Sequence, residues 1–537
     1  MQGGELNGNG VAAGDLSWPL RRAATQFGAV VALVEGELRL TYEHVWQRVR
    51  ALAGALEDLG VAPEGRVGFL GANSIAHAES WFAVPIAGRV LVDLNFRLAV
   101  PELEFIVNDC EIQLLIVDAE RLEVALTLRE RCASLTDVVL VSDGGPEAAE
   151  LITYGELLRH AAVDHPARGQ DELAGICYTG GTTGTPKGVM LSHGNLLSNA
   201  RHNLITTGHA PDQRWLHVPP MFHVAGTANL FACTWAGSRQ VILSRFDARA
   251  FIEIVRREEI THTVLVPTML GMLMDELARE DSPGGLPSLR HIQYAASPIT
   301  PALQRQVLDY FDCDIVQLYG MTEAAPTVTQ LSADAHRRGA RGEEPYVRRL
   351  ASVGTPVIGV EVAVLDPNRE PVAAGEVGEL CVRGPNVMLG YWRREDATAA
   401  ALADGWYHTG DAVWQDADGY LFLVDRLKDM IITGGENVYS IEVEAALAEH
   451  PAVSEVAVIG VPDARWGEAV HAVVSVVSGS DVSEAELIEH CRGQIAGYKV
   501  PRSIELRREP LPKSGPGKIL KSELRAAHWA GHERRIN

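Results

Sequence analysis

YTGGTTGTPKG, residues 178–188, follows directly on the apolar residues 174–177. An apolar run that ends in a Gly/Thr loop is the pattern of a buried strand delivering a phosphate-binding turn. Gly180, Gly181 and Gly184 let the backbone approach anionic oxygens closely. Thr179, Thr182, Thr183 and Thr185 add hydroxyl donors, and Lys187 adds a positive charge. A Walker A loop requires Gly-Lys-Ser/Thr after four spacers, whereas Lys187 stands between Pro186 and Gly188, so P-loop kinase chemistry is disfavoured. Composition alone would fit a plain turn equally well.

Outward from this loop, short Val/Ile/Leu runs recur between amphipathic stretches: RVGFLG, RVLVDL, LLIVD, VVLVSD, QVILS, HTVLVP and DIVQLYG, all between residues 66 and 320. Such alternation predicts layered α/β structure, without fixing the strand order. Residues 351–424 change character, with β-type runs broken by Gly, Pro and Asp, and predict a small β-rich subdomain. Beyond Arg426 the pattern returns to mixed α/β. There Ser483 and Glu486 form an S-x-x-E capping box, opening a helix whose apolar face is Leu487, Ile488, Cys491 and Ile495. A domain boundary is expected near Lys428. The fold class is therefore α/β: a large multi-layered N-terminal domain (18–427) with a β-rich subdomain, then a small α+β C-terminal domain (428–537), after a disordered Gly/Asn-rich lead-in (1–17).

A chain of 537 residues exceeds one ordinary core, and 22% charged residues is a soluble, globular balance. A net charge of -23 repels nucleic-acid phosphates and anionic membrane surfaces, so neither is an expected partner. The seven cysteines are scattered with no CxxC pair, which writes neither a zinc site nor a disulfide framework and makes the cytoplasm the default compartment. Residues 215–238 carry no Asp, Glu, Lys or Arg, but Pro219, Pro220, His223, Gly226 and Asn229 argue for buried core rather than a transmembrane segment.

Thr179 to Gly188, with its Ser/Thr/Gly-rich run ending in Pro-Lys-Gly, resembles the nucleotide loop of the acyl-adenylate-forming superfamily, which comprises acyl-coenzyme A synthetases, peptide-synthetase adenylation domains and beetle luciferases. Gly181 stands where many members carry Ser. Four further motifs follow in that family's order: QLYGMTE (317–323), YHTGD (407–411), LVDRLKDMI (423–431) and PKSGPGKILK (512–521). The resemblance implies that ATP and AMP are held by the loop together with Ala296, Ser297, Gln317, Tyr319, Gly320, Met321 and Thr322. Tyr319 would stack on adenine, Thr322 would contact the α-phosphate, and Glu323 would hold Mg2+. Asp411 and Arg426 would grip the ribose. Lys518 would stabilise the charge developing during adenylation, and Lys187 would act beside it. Pro516 replaces the usual Asn or Thr before the Gly-Lys pair. Lys428 would be the hinge of a mobile small domain, and Gly434, Gly435 and Glu436 would meet coenzyme A.

The same resemblance places an acyl pocket at His223, Thr227, Val266 and Ala295, where Ala295-Ala296-Ser297 replaces a common Gly-Gly-Ala stretch. The added methyls should narrow the pocket floor, and no cation in these stretches suggests a second acidic group on the substrate. The expected activity is ATP-dependent coupling of a carboxylic acid to coenzyme A. A medium- or long-chain fatty acid is the first choice and an aromatic acid, cinnamate or benzoate in type, the alternative. A nucleotide-binding protein without catalysis is the contrasting class; the presence of Glu323, Arg426 and Lys518 weighs against it. A homodimer is compatible with this reading.

Overall fold

The structure, a computed structural model, describes residues 14–142, 151–179, 186–279, 285–297, 299–426, 429–433, 436–463, 465–477, 479–513 and 519–529; the side chains of Arg426, Glu436 and Asn437 lie outside that description. Each quoted apolar run contains a strand, because β-branched runs of four to seven residues fit a pleated, doubly covered position.

Two large sheets form the N-terminal domain. Among the described residues one has eight strands, in the order Gly390–Tyr391, Lys187–Ser192, Leu173–Thr179, Val90–Asp93, Arg66–Leu70, Ile112–Val117, Asp137–Leu140, Ile152–Thr153. From Leu173–Thr179 onward its pairs are parallel, and the two strands at the other edge are antiparallel. The other has nine, with His291–Tyr294, His262–Leu265, Arg214–His217 and Arg239–Ile242 in a parallel centre flanked by Asp314–Gly320. The helix Ile75–Ile86 touches both sheets and is buried along its whole length, including Trp81 and Phe82. Each such aromatic removed from water is worth about 1.5–3 kcal/mol.

Residues 215–238 become the strand Arg214–His217 and the buried helix Val224–Ala236. Among the described residues no helix is long and apolar enough to cross a membrane. A third, antiparallel sheet holds Glu361–Leu365, Val377–Arg383, Trp406–Gln415 and Leu421–Arg426. A fourth starts at Ile431–Thr433 and builds the smaller domain with the helices Ser440–Ala448, Glu484–Arg492 and Lys521–Trp529. There Ser483 Oγ accepts from Glu486 N and Glu486 Oε2 from Ser483 N, the reciprocal cap expected from the sequence. One expectation needs correcting. Residues 15–17 of the supposed disordered lead-in pack into the fold: Leu16 is fully buried, its N–H donates to His193 Nδ1 at 3.2 Å, and a helix starts at Ser17.

Trp215 organises a group of buried imidazoles, with the rings of His209 and His262 at 4.7 and 5.1 Å. Burial first, and neighbouring imidazoles after it, hold His209 and His262 down to about 3; burial holds His217 and His291 down to about 4. Unfolding frees these rings to bind protons below their ordinary 6.5, so the unfolded chain holds more protons than the folded one between about pH 4 and 6.5. Their contribution is fully present above pH 6.5 and is lost as pH falls toward 4, by up to about 1.4 kcal/mol per pH unit per ring. Resistance to denaturant should therefore fall steadily from pH 7 to 5, and a flat profile would contradict this account.

Candidate active site

The Gly/Thr loop joins two strands of a hairpin. Leu173–Thr179 pairs antiparallel with Lys187–Ser192, with Thr179 opposite Lys187 and its Oγ1 3.5 Å from Lys187 O. Gly180, Gly181, Thr182, Thr183, Gly184 and Thr185 lie outside the described residues. On the far side the strand Gly390–Tyr391 sets Tyr391 opposite Val189, and Trp392 N donates to Gly188 O at 2.7 Å. This puts the Lys187 ammonium 5.0 Å from the Tyr391 ring centre, a cation–π contact. The helix His193–Thr207 fixes the outgoing strand: Ser192 and Asn195 form a reciprocal cap, and Asn195 Nδ2 donates to the carbonyls of Pro385 and Val387.

The second motif closes the strand Asp314–Gly320 with a tight turn. A Cβ on Gly320 would lie 1.8 Å from Pro326 O, so only glycine fits that approach. Met321 N donates to Pro326 O, and Ala325 N to Thr322 O. Glu323 stands in the short 3-10 turn Thr322–Ala324. Asn386, fully buried, clamps this turn by donating to Ala324 O at 2.7 Å and Thr327 O at 3.2 Å, while Met388 N donates to Glu323 O at 2.8 Å. Tyr391 OH donates to Glu323 Oε1 at 3.0 Å. Gln317 instead turns to Tyr294, whose hydroxyl it accepts at 3.2 Å.

The third element is the strand Trp406–Gln415. Its Asp411, 6% exposed, accepts from Tyr319 OH at 2.6 Å and faces Arg426 across the pair with Leu421–Arg426. Tyr407 lies beneath; burial pushes its hydroxyl up, and Glu323, Tyr391, Tyr319 and Asp411 add to the shift, so all four are within electrostatic reach. Burial and then Glu323 likewise raise Tyr391. Lys187, Tyr391, Glu323, Tyr407, Tyr319 and Asp411 thus form one connected group drawn from three sheets. Such a group offers a cation, two carboxylates and three phenol hydroxyls to a polyanion with a ribose. Tyr391, Tyr407 and Asn386 escaped the sequence reading, because their partners are remote in the chain and no local pattern marks them.

The acyl-pocket candidates gather at the ends of neighbouring strands. His223 caps the helix Val224–Ala236, with its ring 4.3 Å from that of Phe222. Burial and then Arg97 hold its imidazole at about 4, so it is neutral at pH 7, and its buried Nε2 has no hydrogen-bond partner. Thr227 is fully buried, its hydroxyl donating to Val224 O. Val266 and Ala295 follow the parallel strands His262–Leu265 and His291–Tyr294, joined by Ala295 N to Leu265 O at 3.3 Å. Asn229 Nδ2 ties the helix to the second of these strands through Gln293 Oε1, 2.9 Å. Open sheets bind ligands at such carboxyl ends. Ala296 has φ +75°, a strained position for a residue with a Cβ, and Ser297 beside it is half-buried. Arg97 is a second addition to the sequence reading: it lies over the rings of Phe96 and Phe222 at 5.6 and 6.0 Å and brings a cation to this wall from a remote loop.

In the smaller domain Thr433 pairs with Glu436, whereas Gly434, Gly435, Lys428 and Lys518 lie outside the described residues.

The family model and the CoA-ligase relatives that match this chain make it an AMP-forming acid–thiol ligase, in keeping with the connected group. The chain belongs to the AMP-binding enzyme family, whose model matches residues 20–392, with the model of the AMP-binding enzyme C-terminal domain matching 442–518. It is 42% identical over 515 residues to a feruloyl-CoA synthase of Amycolatopsis sp, covering 95% of this chain and 98% of that one. It is 33% identical to the medium/long-chain-fatty-acid–CoA ligase FadD8 of Mycobacterium tuberculosis, covering 93% and 88%. Among solved structures, the o-succinylbenzoate CoA synthetase of Bacillus subtilis, in complex with ATP and magnesium ion, matches with a TM-score of 0.81 at 28% identity, covering 94% and 98%.

Proposed function

We propose that the chain activates an aromatic acid of the hydroxycinnamate class with ATP and transfers the acyl group to coenzyme A. The observation that carries this reading is the 42% identity, over nearly the full length of both chains, to a feruloyl-CoA synthase, against 33% to the fatty-acid ligase FadD8. A flat, rigid acid also suits a pocket whose floor has Ala295 and Ala296 in place of glycines. The alternative named from the sequence therefore displaces the fatty acid as first choice.

In the first half-reaction the substrate carboxylate attacks the α-phosphorus of ATP, forming acyl-adenylate and releasing pyrophosphate. In the second the thiol of coenzyme A attacks the acyl carbon and AMP leaves. Such chemistry rests on positioning and charge neutralisation rather than on a nucleophilic side chain. Lys187 and the loop 179–185 would hold the phosphates, Thr322 would donate to the α-phosphate, and Asp411 with Arg426 would hold the ribose. The Glu323 carboxylate, fixed by Tyr391 and by the Asn386 clamp, suits a hard cation and would hold Mg2+, which when bound offsets phosphate charge. The small domain from residue 428 onward would then turn about Lys428, withdrawing Lys518 and presenting Gly434, Gly435 and Glu436 to the thiol.

Pyrophosphate release and acyl-CoA formation, measured across ferulate, p-coumarate, benzoate, octanoate and palmitate with and without coenzyme A, test the reading. Ferulate or p-coumarate should exceed both fatty acids in kcat/KM by at least about tenfold, the scale on which pocket shape discriminates; a profile led by palmitate would overturn it. Asp411→Ala removes a buried acceptor from Tyr319 and a charged partner from the ribose. It should raise the KM for ATP by about 10- to 100-fold, the worth of one charge-assisted hydrogen bond, with a smaller change in kcat. An unchanged KM in initial-rate assays would remove Asp411 from the nucleotide site.

A further inference from the structure

A second set of donor side chains lies in the smaller domain, apart from the residues used above. His471 is in the strand Gly467–Val476, and its register partner is Ser503 in the parallel strand Ser503–Arg507. Glu505 is two residues beyond Ser503 and so shares its face. His528 is near the end of the helix Lys521–Trp529, which packs on Val453–Asp463 and is anchored by Trp529 Nε1 donating to Gly460 O at 2.9 Å. One ligand atom from each of His471, Glu505 and His528 lies within 4.8 Å of the others.

The state of His471 points to a missing ligand. It is 7% exposed; Nδ1 pairs with Ser503 Oγ at 2.7 Å, and its buried Nε2 has no hydrogen-bond partner. A buried ring nitrogen without a partner forfeits its hydration for nothing, and native structures rarely leave one so. A hydrogen bond on Nδ1 fixes the ring of a metal-binding histidine and leaves Nε2 to ligate; a carboxylate or backbone carbonyl usually makes it, and Ser503 Oγ occupies that place here. The rings of His471 and His528 meet at 54° with centres 4.8 Å apart, so they are not stacked on each other. Glu505 Oε1 is held by Arg507 Nε at 2.6 Å, and a carboxylate retains a second oxygen.

We propose that His471, His528 and Glu505 bind one divalent transition-metal ion, of the Zn2+, Co2+ or Ni2+ class, and that this ion pins the helix Lys521–Trp529 to the sheet of the smaller domain. Two imidazoles and one carboxylate select such ions over Mg2+ and Ca2+, which prefer all-oxygen shells. Donors at about 2.0–2.2 Å from a tetrahedral ion are about 3.4 Å apart, so a modest side-chain rotation completes the site. The pinned helix starts three residues after Lys518 in the chain. Among the described residues the other such group is Glu379, Cys381 and His408; there the Nδ1 of His408 already pairs with Glu379 and Cys381 while its buried Nε2 also lacks a partner, and it serves as the control.

The test is a titration of untagged, metal-depleted full-length protein with Co2+, followed by visible absorption, and with Zn2+, followed by calorimetry, both in excess Mg2+. One equivalent should bind with a Kd on the order of 10 µM or tighter. His528→Ala, on a half-exposed helix position, and His471→Ala should each weaken binding at least about tenfold, with Cys381→Ser unchanged. Zn2+ should raise the Tm of the parent and not that of His528→Ala. No saturable binding in the parent, binding unchanged in both histidine variants, or binding lost in Cys381→Ser instead would each overturn the proposal. None of these readouts depends on which acid the enzyme activates.

Discussion

Replacing Lys518 by alanine is expected to slow acyl-adenylate formation about 100- to 1000-fold, the loss of about 2.7–4 kcal/mol seen when one preorganised donor is removed from a developing charge. It should leave thiolysis of supplied acyl-adenylate within a few-fold of the parent. Negative charge gathers when a carboxylate approaches a triphosphate, and a chain with 70 acidic against 47 basic residues supplies little background field to offset it. Local cations must do so. Lys187 is one, placed against the Tyr391 ring at the hairpin end. Lys518, from the opposite domain, is the second in this reading, and it is needed only while the small domain faces the phosphates. Pyrophosphate release in the absence of thiol measures the first half-reaction, and synthetic acyl-adenylate with coenzyme A measures the second. Equal loss in both would refute the division of labour between two domain positions.

The strands and the order of the motifs were readable because both are local. A run such as HTVLVP declares a buried strand by its β-branched residues, and Ser483 with Glu486 declares a helix start by a three-residue spacing. The connected group around Glu323 was half readable. Tyr319, Glu323, Asp411 and Lys187 carry chemistry that their motifs expose, whereas Tyr391, Tyr407 and Asn386 matter only because sheet edges bring them together. Tyr391 reaches Lys187 through pairing of Gly390–Tyr391 with Lys187–Ser192, a register no single strand specifies. Arg97 shows the same limit: the stretches 220–227 and 264–269 contain no cation, yet folding lays one over Phe222. The pairing of His471 with His528 depends on how a terminal helix docks on a sheet, which spacing does not encode.

Gly320→Ala should reduce adenylation by about 100-fold, the cost of misplacing a reacting geometry by roughly 1 Å. The added Cβ would stand 1.8 Å from Pro326 O, 2.7 Å from Pro326 C and 3.1 Å from Thr327 Cα, and these are backbone atoms that cannot swing aside. The turn 320–327 must open instead. Opening it strains the Met321 N to Pro326 O bond and pulls on the two carbonyls clamped by Asn386, so Glu323 leaves the position that Tyr391 and Met388 define. Overpacking of this kind costs about 1–3 kcal/mol of stability, and a lower Tm should accompany the kinetic loss while the far-UV spectrum persists. Gly497→Ala is the matched control, since its methyl meets nothing within 4 Å, and both rate and Tm should stay at the parent values. If Gly320→Ala adenylated at the parent rate, the turn would be free to move, and Glu323 could not owe its placement to the close approach of these two chain segments.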